Sequence, residues 1–131
     1  MLEVEKLTEF KINHLPPSTL SFIGDAVFCL FVRTRLVGKF DYKSGELTKR
    51  ASQIVSAVSQ SKMLTRIDAY LSEDEREIVK RCKNAYSRTM AKNASVSEYH
   101  RASGLEGLVG WLYLTGEEER LVEVMEQCLG E

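Results

Sequence analysis

Ser21-Phe22-Ile23-Gly24-Asp25-Ala26-Val27-Phe28 sets one carboxylate in a stretch that is otherwise apolar or small. The run continues through Cys29-Leu30-Phe31-Val32 before the next charged side chain, Arg33. One helical turn from Asp25 stand Ser21, Phe22, Phe28 and Cys29, none of them charged. From Leu20 to about Val37 the pattern predicts a central helix, N-capped by Ser18 or Thr19, closed by Gly38 and buried on nearly every side. An ionised carboxylate in apolar surroundings is costly unless it is paired or binds a cation. Asp25 therefore predicts a partner elsewhere in the chain.

The pair Pro16-Pro17 separates a short polar leader, residues 1–16, from this helix. After a turn at Gly38-Lys39-Phe40-Asp41, a second helical region runs from about Ser44 to Leu71, broken near Ser56–Ser61. Ser72-Glu73-Asp74-Glu75 has the capping-box pattern and opens a helix to about Ala85. Residues 86–97 read as a polar loop, and a helix from about Ser97 to Leu114 follows. After Thr115-Gly116, a last amphipathic helix puts Leu121, Val124, Met125 and Cys128 on one stripe. No alternating β pattern persists, so the expectation is an all-α bundle of about six helices.

With 131 residues, 44% of them apolar and 28% charged, the chain is expected to form one domain that buries its core without disulfides or a structural metal. The three cysteines, Cys29, Cys82 and Cys128, are widely spaced and form no CxxC or Cys/His cluster, which favours a reduced, cytoplasmic protein without a zinc site. Nothing in MLEVEKLTEF reads as a signal peptide, and the apolar run Ala26–Val32 is too short to span a membrane.

The partner acid is found in the helix Tyr99–Leu114. There Leu105, Leu108, Val109 and Leu112 form an apolar stripe, with Glu106 at its edge among Ala102, Ser103 and Gly110. Gly104, Gly107 and Gly110 recur every third residue, each weakening a helix by about 1 kcal/mol relative to Ala. A helix tolerates that where another backbone comes very close. Taken singly, Asp25 reads as a displaced cap and Glu106 as a solvated edge residue. Taken together, two acids on two apolar helices repel unless protonated or bridged by a cation. A hard divalent ion such as Mg²⁺, held by carboxylates, waters and a phosphate, resolves the conflict.

SFIGDAVF resembles the ribonuclease III signature, a hydrophobic-Gly-Asp-Ala/Ser step inside an apolar helix. Ala102-Ser103-Gly104-Leu105-Glu106-Gly107-Leu108-Val109-Gly110 is similar to that family's second acidic motif. Ser52-Gln53-Ile54-Val55-Ser56-Ala57 with Gln60, Arg81-Cys82-Lys83-Asn84-Ala85, Lys92-Asn93-Ala94 and Tyr99-His100-Arg101 resemble its short branch, which has a catalytic domain and no double-stranded-RNA-binding domain. The resemblance covers roughly residues 15–128. It implies an endoribonuclease that cuts double-stranded RNA as a symmetric homodimer, with Asp25 and Glu106 as catalytic acids holding Mg²⁺, for which Mn²⁺ is expected to substitute. It also implies precursor large-subunit (23S) ribosomal RNA as substrate, with a ribosomal protein as helper. Full-length relatives carry further acids where this chain has Ser21 and Ser103, residues that reach a cation only through water. That thins the charge for a second metal.

From Lys80 to Arg101 there are six basic residues and one acid, whereas Glu117–Glu131 holds six glutamates and one arginine, so a chain of net charge −1 is strongly polarised. A-form RNA is recognised mainly through phosphates and 2′-hydroxyls. Lys80, Arg81, Lys83, Asn84, Arg88, Lys92, Tyr99, His100 and Arg101, with the smaller cluster Lys49-Arg50, are the expected RNA contacts. His100 is read as a phosphate or structural contact rather than a proton shuttle. Phe22 and Phe28 are expected at a two-fold interface. The competing readings are a catalytically inactive RNA-binding or ribosome-assembly module and an α-helical adaptor. The first would not need Asp25, and the second would not need the polarised basic segment.

Overall fold

The computed structural model describes residues 7–39, 41, 43–85 and 95–130. Among them are seven α-helices and no strand: α1 (Glu9–Asn13), α2 (Pro17–Lys39), α3 (Ser44–Ile54), α4 (Ala57–Ile67), α5 (Glu73–Lys83), α6 (Val96–Leu114) and α7 (Glu118–Leu129), with a 3₁₀ turn at Asp68–Tyr70. No helix among the described residues is long and apolar enough to cross a membrane.

The local chemistry explains the boundaries. Pro17 takes the first position of α2, where a missing N–H costs nothing, and the amides of Thr19 and Leu20 donate to the Pro16 carbonyl. The helix thus starts earlier than a Ser18 or Thr19 cap implies, and it runs through Gly38 to Lys39. Ser56 breaks the second helical region by capping α4, its hydroxyl accepting from the Ser59 amide at 3.2 Å. The Ser72–Glu75 capping box opens α5 as expected, and a second one, Ser95–Glu98, opens α6. Within the described residues of the leader, Thr8 caps α1, and Ile12 is buried.

The centre of the bundle is α6, with eight buried residues, packed against α2, α5 and α4. The row Leu20, Gly24, Phe28, Val32, Leu36 of α2 faces the core. The opposite row leaves Phe22 79%, Leu30 53% and Val37 67% exposed, and Asp25 and Ala26 are exposed too. This corrects two expectations. Helix α2 is not buried all round, and Phe28, with no exposed surface, is a core residue unavailable to any interface. Phe22 stands on the exposed face.

Away from the site, the largest buried charge is Glu75, 4% exposed, whose two carboxylate oxygens each accept from Arg120 at 2.7 Å. One of them also accepts from the Ser72 amide at 2.8 Å. The Arg120 hydrogen bonds hold the Glu75 carboxyl below the usual range against the opposing effect of burial. A depressed folded-state pKa stabilises above the unfolded value, and that stabilisation is lost as pH falls through the folded value. Arg120→Met should therefore lower stability by about 2 kcal/mol at pH 7, a figure reduced because Arg120 is partly solvated. The deficit should shrink below pH 4 in urea titrations. A deficit independent of pH would mean that Arg120 acts through packing alone.

Candidate active site

Asp25 on α2 and Glu106 on α6 meet across the tightest crossing of the fold. Their carboxyl groups share a hydrogen bond. Burial, reinforced by the hydrogen bond and the charge of Asp25, pushes the Glu106 carboxyl up to about 8, with Gln60 opposing the shift. The shift favours a proton on Glu106 beside Asp25, the behaviour of two crowded acids. Asp25 does meet Glu106, but it is exposed rather than buried, so burial is a constraint on Glu106 and not on Asp25.

The pair lies at a cavity of about 330 Å³ that Ser18, Ser21, Phe22, Tyr99 and Ser103 also line. The Ser21 hydroxyl donates to the Ser103 carbonyl at 2.9 Å, tying α2 to α6 beside the acids. The Cys29 thiol lies 3.9 Å from Asp25 Oδ1, and burial, with the charges of Asp25 and Glu106, pushes that thiol up and keeps it neutral. On α4, the Gln60 amide nitrogen donates to Glu106 Oε2 at 3.4 Å. No group of three or more His, Cys, Asp or Glu side chains is placed to hold a metal among the described residues. What the site offers is two carboxylates, two serine hydroxyls and an amide. That all-oxygen donor set, with a carboxylate pair that needs a proton or a cation, fits a largely hydrated Mg²⁺.

The expected RNA contacts divide into groups. Tyr99 lines the cavity, and His100 stands beside it with ring centroids 6.1 Å apart. Lys83 lays its stem over Gly104 of α6, Asn84 ends α5, and the next residue, Ala85, lines the cavity. Lys80 and Arg81 are exposed in the last turn of α5, and Arg81 donates to the Leu15 carbonyl. Lys49 and Arg50 stand on α3, where Arg50 pairs with Glu46 at 3.0 Å. Arg88 and Lys92 lie outside the described residues.

Arg101 also has partners within the fold. Its guanidinium donates to Ser61 Oγ at 3.1 Å, to the Ser61 carbonyl at 3.3 Å and to Thr65 Oγ1 at 2.6 Å, clamping α6 to α4. Arg101→Lys keeps the charge but not the planar fork. It should lower the melting temperature by a few degrees, and Arg101→Met, which removes the charge as well, should leave the salt dependence of RNA binding unchanged. A flattened salt slope at constant stability would return Arg101 to the RNA.

Gln60, noted in the sequence only within the family resemblance and not as a site residue, also reaches the acid pair. The available signal was a polar side chain on an otherwise apolar row with Met63, Leu64 and Ile67, all buried.

Residues 18–117 match the family described as the Ribonuclease III domain. The chain is 41% identical to Mini-ribonuclease 3 of Clostridium tetani over 93% of its own length and 82% of that protein. It is 40% identical to Mini-ribonuclease 3 of Brevibacillus brevis, covering 97% of this chain and 94% of that one. A crystal structure of a Fusobacterium nucleatum protein superposes with a TM-score of 0.80 at 31% identity, covering 88% and 92% of the two chains. Helical fold, paired acids and matched residues define a ribonuclease III domain protein, and hence an endoribonuclease. Within that class the chain belongs to the Mini-ribonuclease III family.

Proposed function

We propose that this endoribonuclease hydrolyses double-stranded RNA as a homodimer, with a divalent cation held by Asp25 and Glu106, and that it acts in the cytoplasm on precursor large-subunit (23S) ribosomal RNA, aided by a ribosomal protein. Residues 1–131 act in this reading as one catalytic domain. The observation that carries the reading is the carboxylate pair of α2 and α6 at the mouth of a cavity lined by oxygen donors. Mg²⁺ bound there supplies charge neutralisation at the phosphate and activation of water, and Mn²⁺ substitutes for it. Asp25 and Glu106 would hold the ion, with Ser21 and Ser103 beside them to meet its bound waters. Tyr99, Lys83 and Asn84, beside the cavity, orient the RNA backbone. Lys80, Arg81, Arg88, Lys92 and His100 extend the phosphate path, and Lys49 and Arg50 offer a second, more distant contact.

Cleavage of a perfect RNA duplex with and without Mg²⁺ tests the reading: strand scission that requires the ion supports it, and scission undiminished by a chelator overturns it. For the dimer, support comes from the exposed apolar row Phe22, Leu30, Val37 of α2, which a two-fold axis would cover isologously. Sedimentation at micromolar concentration should give twice the 14.9 kDa chain mass, and Leu30→Glu should shift it to monomer. A wild-type monomer active at the same dilution would remove the dimer from the reading.

A further inference from the structure

Gln60 is 1% exposed, one of very few polar side chains in the core, and it faces the acid pair from a third helix. Its place is fixed from both sides along α4. Upstream, Ser56 caps the helix and its carbonyl accepts from the Gln60 backbone N–H at 2.9 Å. Downstream, the neighbouring Ser61 and then Thr65 are gripped by Arg101. Arg101 and Glu106 belong to the same helix, so α4 and α6 are joined at two points: the Arg101 clamp and the bond from Gln60 to Glu106. A glutamine carboxamide buried at this depth has no packing advantage over leucine or methionine, and burying its polar atoms without partners is costly. The bond to Oε2 is long at 3.4 Å, and such bonds shorten and strengthen when the acceptor is ionised.

We propose that Gln60 is a positioning residue: its amide N–H holds Oε2 of Glu106, fixing the carboxylate in the orientation that receives the cation, while the Arg101 clamp sets the depth of α4. This inference rests on reading Glu106 as a cation-holding acid. A partner that orients a metal ligand in this way typically contributes 10- to 100-fold to metal affinity or activity. Gln60→Leu and Gln60→Met both remove the donor at similar volume, and the unbranched Met variant carries the test if the Leu variant does not fold.

The experiment measures Mn²⁺ binding by the paramagnetic signal of the free ion, single-turnover cleavage of duplex RNA, RNA affinity without divalent ions, and melting temperature, with Glu106→Gln as comparator. The expected result is a Mn²⁺ midpoint raised about tenfold or more and a cleavage rate lowered about 10- to 100-fold, with metal-free RNA affinity unchanged. A lowered melting temperature with an unmoved Mn²⁺ midpoint would overturn the proposal, since a packing residue gives that result. If Glu106→Gln binds Mn²⁺ and cuts like the wild type, the underlying site reading fails. If Glu106→Gln is inactive and both Gln60 variants keep the wild-type midpoint, only the positioning role fails.

Discussion

Asp25→Asn and Glu106→Gln should each lower cleavage of duplex RNA by at least about a thousandfold and leave the fold intact. Electrostatic stabilisation by a catalytic cation is worth several kcal/mol, and each 1.36 kcal/mol is a factor of ten in rate. Either amide removes half the carboxylate charge with little change in shape. The same substitutions should not harm the metal-free protein. Asp25 is exposed, and Glu106 is held in an environment that raises its carboxyl to about 8, so Glu106 already resists ionisation. Between the ordinary glutamate value of 4.5 and about 8, folded Glu106 keeps a proton that the unfolded chain has released. Metal-free stability therefore falls as pH rises through that window. Glu106→Gln should flatten this decline, so its melting temperature without metal should equal or exceed that of the wild type at pH 8. Single-turnover assays with Mg²⁺, beside melting curves in chelator at pH 5 and pH 8, separate the two effects. A variant that cuts near the wild-type rate would exclude its residue from the chemistry.

The acids were legible because polarity inside an apolar helix is a rare, local signal. Other features depended on which way a helix turns. A helix as uniformly apolar as α2 gives periodicity no means of distinguishing Phe22 from Phe28. What decides is Gly24, because the row that contains it approaches another backbone and goes inside, taking Phe28 with it and leaving Phe22 and Asp25 out. The fates of the arginines were equally hidden. Arg101 and Arg81 stand in a basic run that reads as an RNA surface, and their guanidinium groups also meet hydroxyls and carbonyls 36 to 66 residues away in sequence. Capping chemistry, by contrast, is local and therefore readable. Ser95–Glu98 carries the same capping pattern as Ser72–Glu75 and starts α6 at Val96, one residue ahead of the expected boundary. Helix α1, five residues with one buried side chain, is too short for periodicity to register.

Gly24→Ala should be the most damaging single methyl group in the fold. A Cβ at Gly24 would overlap the Glu106 carbonyl oxygen and stand 2.6 Å from its carbon and 2.9 Å from the Gly110 nitrogen. These are backbone atoms in the middle of α6, so no rotamer change relieves the clash and the helices must separate. Overpacking in a core costs about 1–3 kcal/mol when side chains can shift. Here they cannot, and a loss above about 3 kcal/mol corresponds to roughly 10 °C or more in melting temperature for a chain of this size. Gly24 directly precedes Asp25 and rests on the backbone of Glu106, so the separation falls on the catalytic pair itself. A displacement of about 1 Å is enough to cost a hundredfold in rate. Activity measured well below the lowered melting temperature should therefore fall by at least about that factor. Gly38→Ala, in the same helix, is the control: a Cβ at that position meets nothing within 4 Å, and the variant should gain about 0.5–1 kcal/mol from helix propensity. If Gly24→Ala melts within about 2 °C of the wild type, as roughly half a kcal/mol would allow, and cuts normally, the α2–α6 crossing is not what holds the two acids together.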